Sequence, residues 1–264
     1  MDIKGFLKAK AKPLSANTLR NYENSLDLLA RTIKGDEPTI DEIIAWLNTF
    51  ESESTLSRHK SAIYRYWDWR FPGVPLEFPR DTFAPVKEEL MKVTTVEIIQ
   101  SLIDRANGVD DKMFCQTLFI LGCRVKELVS DPRCNIPGVY FKDILPTGVR
   151  IIAKGHKERI VPVPSVFLQA FTGYAMLKNG LIFPNGYDYY YTLVKRLGEA
   201  VGHPELSPHY FRHARTIDLL NKGMSPAYVA QVRGDKNLNM IMRYSALTNT
   251  GLQAQVEKFD KESD

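Results

Sequence analysis

The sequence predicts a mainly α-helical protein of two domains: a small helical bundle over residues 1–72, a linker over 73–92, and a larger helical domain with one small antiparallel sheet over 93–264. Three observations predict it. Apolar residues return at alternating steps of three and four through most of the chain, the period of an amphipathic helix. That pattern stops at FPGVPLEFPRDTFAP, where four prolines break any helix and the chain reads as an extended connection. Alternation with period two is confined to residues 138–164.

Residues 1–12 carry four lysines and one aspartate, and read as a frayed, solvated end or as an arm for phosphates. Leu19, Tyr22, Leu26, Leu29 and Ile33 then form one helical stripe, ended by Lys34 and Gly35. Thr39 and Glu42 have capping-box spacing, followed by Ile43, Trp46, Leu47 and Phe50 on one face. A third helix from Ser54 turns Leu56, Ile63 and Trp67 inward and leaves Arg58, Lys60, Arg65 and Arg70 elsewhere on its surface. Through Val86 the chain has twelve basic and twelve acidic residues, so any affinity for a polyanion rests on how these cations are arranged. A solvated charged face explains them equally well.

Beyond the linker, Thr94 and Glu97 supply another capping box before Ile98, Leu102 and Ile103. MFCQTLFILGCRVKELVS reads as one helix with Leu118, Leu121, Val125 and Leu128 buried. Arg124 falls on or beside that stripe, where it needs Glu127 or an anion as a partner. VYFKDI, GVRIIAK and RIVPVP read as strands, the last two joined by the turn GHKE. Ser207, Pro208 and Gly223 then mark the cap, first position and C-terminal glycine of a helix. His209 and Arg212 share one face of its first turn, where free N–H groups and the helix dipole favour an anion. Met240, Ile241, Tyr244 and Leu247 form a further helical pattern, and Leu252, Val256 and Phe259 give the tail a short stripe suited to docking.

Composition bounds the rest. A chain of 264 residues, 44% hydrophobic and 25% charged, is that of an ordinary globular protein with a sizeable core. A net charge of +4 permits a nucleic-acid partner without demanding one. Cys115, Cys123 and Cys134 are odd in number and lack C-x-x-C spacing, which suits reduced thiols. With no apolar leader or membrane-length run, a cytoplasmic location is expected.

Four of these stretches carry a resemblance. LGCRVKELVS, AKGHKERIVPVP, the His-x-x-Arg of HYFRHAR, and Tyr244 about thirty residues later are similar, in order, to the arginine box, lysine hairpin, His-x-x-Arg box and nucleophile of the tyrosine recombinases, the phage integrase family. The N-terminal helices resemble that family's core-binding domain in pattern. The resemblance implies the tyrosine recombinase catalytic fold and a site-specific DNA recombinase that cleaves and rejoins strands through a 3′-phosphotyrosine, serving integration, excision or dimer resolution. It implies no metal and no cofactor. The partners it implies are double-stranded DNA, clamped between the domains, and further copies of the chain. These would form a tetrameric synapse, with each tail docked on its neighbour. Arg58, Lys60, Arg65 and Arg70 are the candidate DNA contacts that the charge arrangement offers.

The chemistry is consistent with those residue types. Arg124 and Arg212 would hold the nonbridging phosphate oxygens by charge-assisted bonds that strengthen as charge builds. Tyr244 would attack, His209 would accept its proton, and Lys154 would protonate the leaving 5′-oxygen. One position departs from the family. Asp235 stands nine residues before Tyr244, where a histidine or tryptophan is usual. The expectation is that its carboxylate turns away to cap the helix starting near Asn237, leaving Lys236, or secondarily Arg233, to supply the cation.

Rival readings come from the same residues. Tyr187, Tyr189, Tyr190 and Tyr191 are alternative nucleophiles, although packing or DNA contact suits them better. A type IB topoisomerase shares the chemistry, and a DNA-binding regulator could share the scaffold. His209 and His213 have the spacing of a zinc-protease helix, but Tyr210 stands where its glutamate is needed.

Overall fold

The computed structural model describes residues 1–10, 12, 14–33, 35–79, 82–83, 94–235 and 237–245, with backbone alone at 240, 243 and 245. The chain divides into two compact units, Met1–Met91 and Lys92–Asp264.

The first unit holds α1 (Ile3–Lys10), α2 (Ala16–Ala30), α3 (Ile40–Leu47) and α4 (Glu53–Arg70). The N-terminus is not frayed. Phe6 is fully buried against the rings of Tyr22, Tyr66 and Trp69, with centroids 5.6–6.3 Å away. Burying a side chain of that size stabilises by about 1.5–3 kcal/mol, enough to order a short lysine-rich helix. Ser15 caps α2 through the Thr18 amide, and Thr39 and Glu42 form the expected reciprocal box at α3. Leu29, Ile43, Leu47, Leu56 and Ile63 make the core. Leu76 is buried among them and Phe78 packs alongside, so this part of the proline-rich stretch covers the bundle.

The second unit begins with α5 (Val96–Arg105) and α6 (Gly108–Leu121). Thr95, not Thr94, caps α5. The long helix expected across residues 113–130 is broken. Gly122, in the left-handed conformation (φ 55°), ends α6, and Cys123 and Arg124 lead into the single-turn α7 (Val125–Leu128). All four stripe leucines and valines are nevertheless buried. Phe141–Asp143, expected as strand, is a 3₁₀ turn in which Asp143 accepts from the Tyr140 amide and from Arg150. The sheet is β1 (Ile144–Leu145), β2 (Gly148–Ala153) and β3 (Lys157–Val161), antiparallel in that order, with Ile151 opposite Arg159. Then follow α8 (Ser165–Met176), α9 (Tyr187–Ala200), α10 (Pro208–Asn221), α11 (Pro226–Arg233) and α12 (Asn239–Ser245). The core joins α5, α6, α9 and α10 through Leu102, Phe114, Leu118, Val194, Phe211 and Ala214. No described helix is long and apolar enough to cross a membrane.

Candidate active site

The break at Gly122 decides where Arg124 points. As the N-cap residue of α7 rather than a mid-helix position, Arg124 leaves the apolar stripe, and 46% of its side chain is exposed. It is held from both ends by Glu127, which accepts from the Arg124 amide (3.0 Å) and from Nη1 (3.1 Å). Glu127 is only 2% exposed, and its other contact is Arg159 Nη2 at 2.7 Å. Burial opposes its ionisation, but Arg159 and then Arg124 outweigh burial and hold its pKa below the ordinary value. Arg159 also donates through Nε to the Val232 carbonyl, tying β3 to α11.

Arg212 lies one turn into α10 with its side chain buried (4% exposed). Nη1 donates to the carbonyls of Gly122 and Arg233, both at 2.9 Å, so this guanidinium serves the carbonyls at the ends of α6 and α11. Burial first, and then the neighbouring Arg233, pull its pKa down to about 10.

Asp235 does not turn away. Its Oδ1 accepts from Arg212 Nη2 at 2.7 Å and from Arg124 Nη2 at 3.3 Å, while Oδ2 accepts from Arg233 Nε at 2.6 Å. At the start of the last helix it is the Asn237 side chain, not that of Asp235, that accepts a backbone amide, that of Asn239. The energetic ranking favours the arginines over a cap. A side-chain cap is worth about 1 kcal/mol, whereas leaving two buried guanidinium groups without a counter-charge costs about 3–5 kcal/mol. Burial works against the carboxylate, but Arg212, Arg233 and Arg124 together keep its pKa below the ordinary one. Gly234 makes the turn possible: its φ is 71°, and a Cβ there would sit 2.9 Å from Arg159 Nη1. Lys236, the cation first expected here, lies outside the described residues.

Arg233 is buried, donates through Nη1 to Thr216 Oγ1, and places its Cζ 5.5 Å from the centre of the Tyr244 ring. Tyr244 itself is completely buried. Its hydroxyl meets Nδ1 of His213, not His209. Burial raises the Tyr244 pKa, outweighing the opposing effect of Arg233 and Arg212. Burial likewise lowers that of His213 to about 4, assisted by Arg233, His209 and Arg212, so the ring is neutral and able to accept. His213 is the residue that sequence reasoning missed. Its position four residues after His209 was visible, but that spacing suggested only a metal pattern.

His209, exposed on the first turn of α10, lines a cavity with Arg124, Val125, Lys126, Tyr187 and Pro208. Partial desolvation, and then Arg212, Arg124 and Arg233, keep its pKa below the usual histidine value. Lys154 is exposed where β2 turns into β3, beside Gly155 (φ 79°) and His156 (φ 55°), and no hydrogen bond or ion pair among the described residues joins it to the arginines. Of the rival tyrosines, Tyr190 is buried with its ring stacked on Phe114 at 3.8 Å, and Tyr189 is exposed and donates to Asp111. In the first unit, Arg58 and Arg65 are exposed on α4. Lys60 lies 3.3 Å over the Phe83 ring, and Arg70 pairs with Glu37 at 2.7 Å.

This largely helical fold with one small antiparallel sheet has counterparts among known proteins. The sequence profile of the phage integrase family covers residues 89–250, and the chain belongs to that family of site-specific DNA recombinases. It is similar to the tyrosine recombinase XerC of Herpetosiphon aurantiacus, with 23% identity over 89% of this chain and 86% of that one. A tyrosine recombinase of Thermosipho africanus is 26% identical over 98% of this chain and 88% of its own. Among solved structures, the Tn1549 transposon integrase in complex with circular intermediate DNA has a TM-score of 0.69, with 18% identity over 98% of this chain and 100% of that chain. A λ integrase dimer bound to a core site has a TM-score of 0.66, with 16% identity over 92% and 93%.

Proposed function

We propose that the chain recombines DNA by using Tyr244 as nucleophile at a phosphate held by Arg124 and Arg212. The observation that carries this reading is the convergence of Nη2 from both arginines on a single acceptor oxygen. Two guanidinium groups aimed at one point are a ready-made site for a phosphate oxygen, and their bonds strengthen as negative charge grows in the transition state. Glu127 and the Gly122 and Arg233 carbonyls fix both arginines before DNA arrives, so little reorganisation is needed.

Tyr244 must leave its buried contact with His213 to reach DNA. At the phosphate, His209 faces the same cavity as Arg124 and takes the phenol proton, which its lowered pKa keeps it free to accept. The new bond joins the tyrosine oxygen to phosphorus, the bond from phosphorus to the 5′-oxygen breaks, and Lys154 at the hairpin supplies the proton to that oxygen. The phosphotyrosine conserves the bond, and a second strand's 5′-hydroxyl reverses the step. Arg58 and Arg65 on α4 contact the DNA backbone. Lys60 and Arg70 are weaker candidates because an aromatic ring and a carboxylate already engage them. Copies of the chain assemble on DNA, as in the λ integrase tetramer bound to a Holliday junction. The docking tail expected for that assembly, residues 251–264, lies outside the described residues.

A nicked suicide duplex carrying sites from the gene's own neighbourhood tests the reading. The wild-type chain should form a covalent adduct in EDTA, and Tyr244→Phe should bind the duplex without forming one. An adduct mapped to Tyr187, Tyr189, Tyr190 or Tyr191 would refute the assignment.

A further inference from the structure

We propose that Asp235 is an internal stand-in for the DNA phosphate, a carboxylate that occupies the donors of Arg124 and Arg212 and must yield them before a phosphate can bind. This rests on the reading that those two arginines hold the scissile phosphate. Oδ1 takes the same Nη2 groups, at 2.7 and 3.3 Å, that a nonbridging phosphate oxygen would take. Oδ2 is separately anchored by Arg233 Nε at 2.6 Å. The carboxylate is therefore held from one side and can release Oδ1 without leaving the site. The donors left over do not serve as well. Arg212 Nη1 is committed to two carbonyls and Arg124 Nη1 to Glu127, so the shared oxygen position is where the two cations meet.

Charge points the same way. Arg124, Arg212 and Arg233 are opposed by Asp235 and, from the far side of Arg124, by Glu127. A phosphate entering beside an undisplaced Asp235 would meet a like charge at contact distance in a poorly hydrated site, which is strongly unfavourable. With Oδ1 withdrawn, the incoming anion replaces the outgoing one and both arginines stay paired. The carboxylate thereby stabilises the buried cations when no DNA is bound, and it weakens the binding of any anion that competes for the same donors.

The test titrates inorganic sulfate, and separately a short duplex with a 3′-phosphate, into the wild-type chain and into Asp235→Asn and Asp235→Ser, following binding by calorimetry. Near-UV circular dichroism checks that each variant is folded. Loss of the competing charge should tighten sulfate binding about tenfold in either variant, while melting without ligand falls. Unchanged or weaker sulfate binding in a folded variant would overturn the proposal and make Asp235 a group that positions the arginines for the phosphate. If neither variant folds, the wild-type chain still decides. Carbon-13 NMR of aspartate-labelled protein should show one carboxyl resonance moving on sulfate saturation, and no movement would overturn the proposal. Arg124→Ala separates the two layers: sulfate binding that survives this change would refute the arginine phosphate site itself, whatever the Asp235 variants do.

Discussion

Replacing Glu127 with glutamine changes one atom and removes the charge on which two arginines depend. The carboxylate accepts three bonds, from the Arg124 amide, Arg124 Nη1 and Arg159 Nη2. A glutamine can keep only one oxygen there and must turn its NH₂ toward one of those donors. Arg124 is 46% exposed and recovers most of its loss from water, so it contributes little to the cost. Arg159 is 11% exposed and cannot, leaving a buried guanidinium short of its counter-charge. With hydrogen bonds to charged groups worth about 1.5–3 kcal/mol each, Glu127→Gln should cost the second unit about 3 kcal/mol. For a unit of its size that is a fall of roughly 6–12 °C in melting temperature. The assay has a built-in control. All three tryptophans, Trp46, Trp67 and Trp69, belong to the first unit. Tryptophan fluorescence should therefore keep its denaturation midpoint while far-UV circular dichroism shows part of the chain unfolding earlier. A circular dichroism transition unchanged within 2 °C or so would show that Glu127 is not the support the geometry indicates.

Gly234→Ala should destabilise the same unit by about 1–3 kcal/mol, because φ is 71° and the new Cβ would press on Arg159; urea denaturation measures it. Stability should also fall with acid over a defined window. His213, buried with a pKa of about 4 against an ordinary 6.5, binds fewer protons folded than unfolded, so stability is lost as pH drops from about 6.5 to about 4. Glu127 and Asp235, with lowered pKa values, add their own loss below the ordinary carboxylate range. His213→Phe should flatten the upper limb of that profile, and a melting series from pH 8 to pH 4 or so would reveal it. Arg58→Ala and Arg65→Ala should each weaken DNA binding uniformly across sequences. Each should also reduce the salt slope by about 0.9, read by fluorescence anisotropy at several salt concentrations.

Periodicity made most of the fold legible. The stripes through Tyr22, Leu26 and Leu29, through Ile43 and Leu47, and through Leu118 and Leu121 all lie in the cores assigned to them, since burial is what writes a 3.6-residue period. What failed was punctuation. Gly122 ends a helix, yet the apolar stripe runs on to Leu128 across the break, so periodicity alone joined α6 to α7. The lysine-rich α1 was hidden because Phe6 is its one fully buried residue, with Ile3 and Leu7 only partly buried beside it, too weak a signal against three lysines in eight residues. At the site, Arg124, Arg212, His209 and Tyr244 were legible as residue types at characteristic spacings. The orientation of Asp235 was not. It depends on Arg233, a residue two positions away, being buried, and burial of a charged side chain is set by tertiary packing that no local pattern records.

Arg159 gives the hairpin a mechanical character. It sits opposite Ile151 in the sheet and is pinned to Glu127 and to the Val232 carbonyl, which makes that rung a fulcrum. Lys154 lies three residues farther out, roughly 10 Å along the strand. A swing of about ten degrees at the rung would therefore carry the lysine through roughly 2 Å, the difference between a hydrogen bond and none. The same swing leaves the arginine end nearly still. On the proposed reading of Lys154 as general acid, that arm can thus search for the leaving oxygen while Arg159, close to the pivot, stays in place.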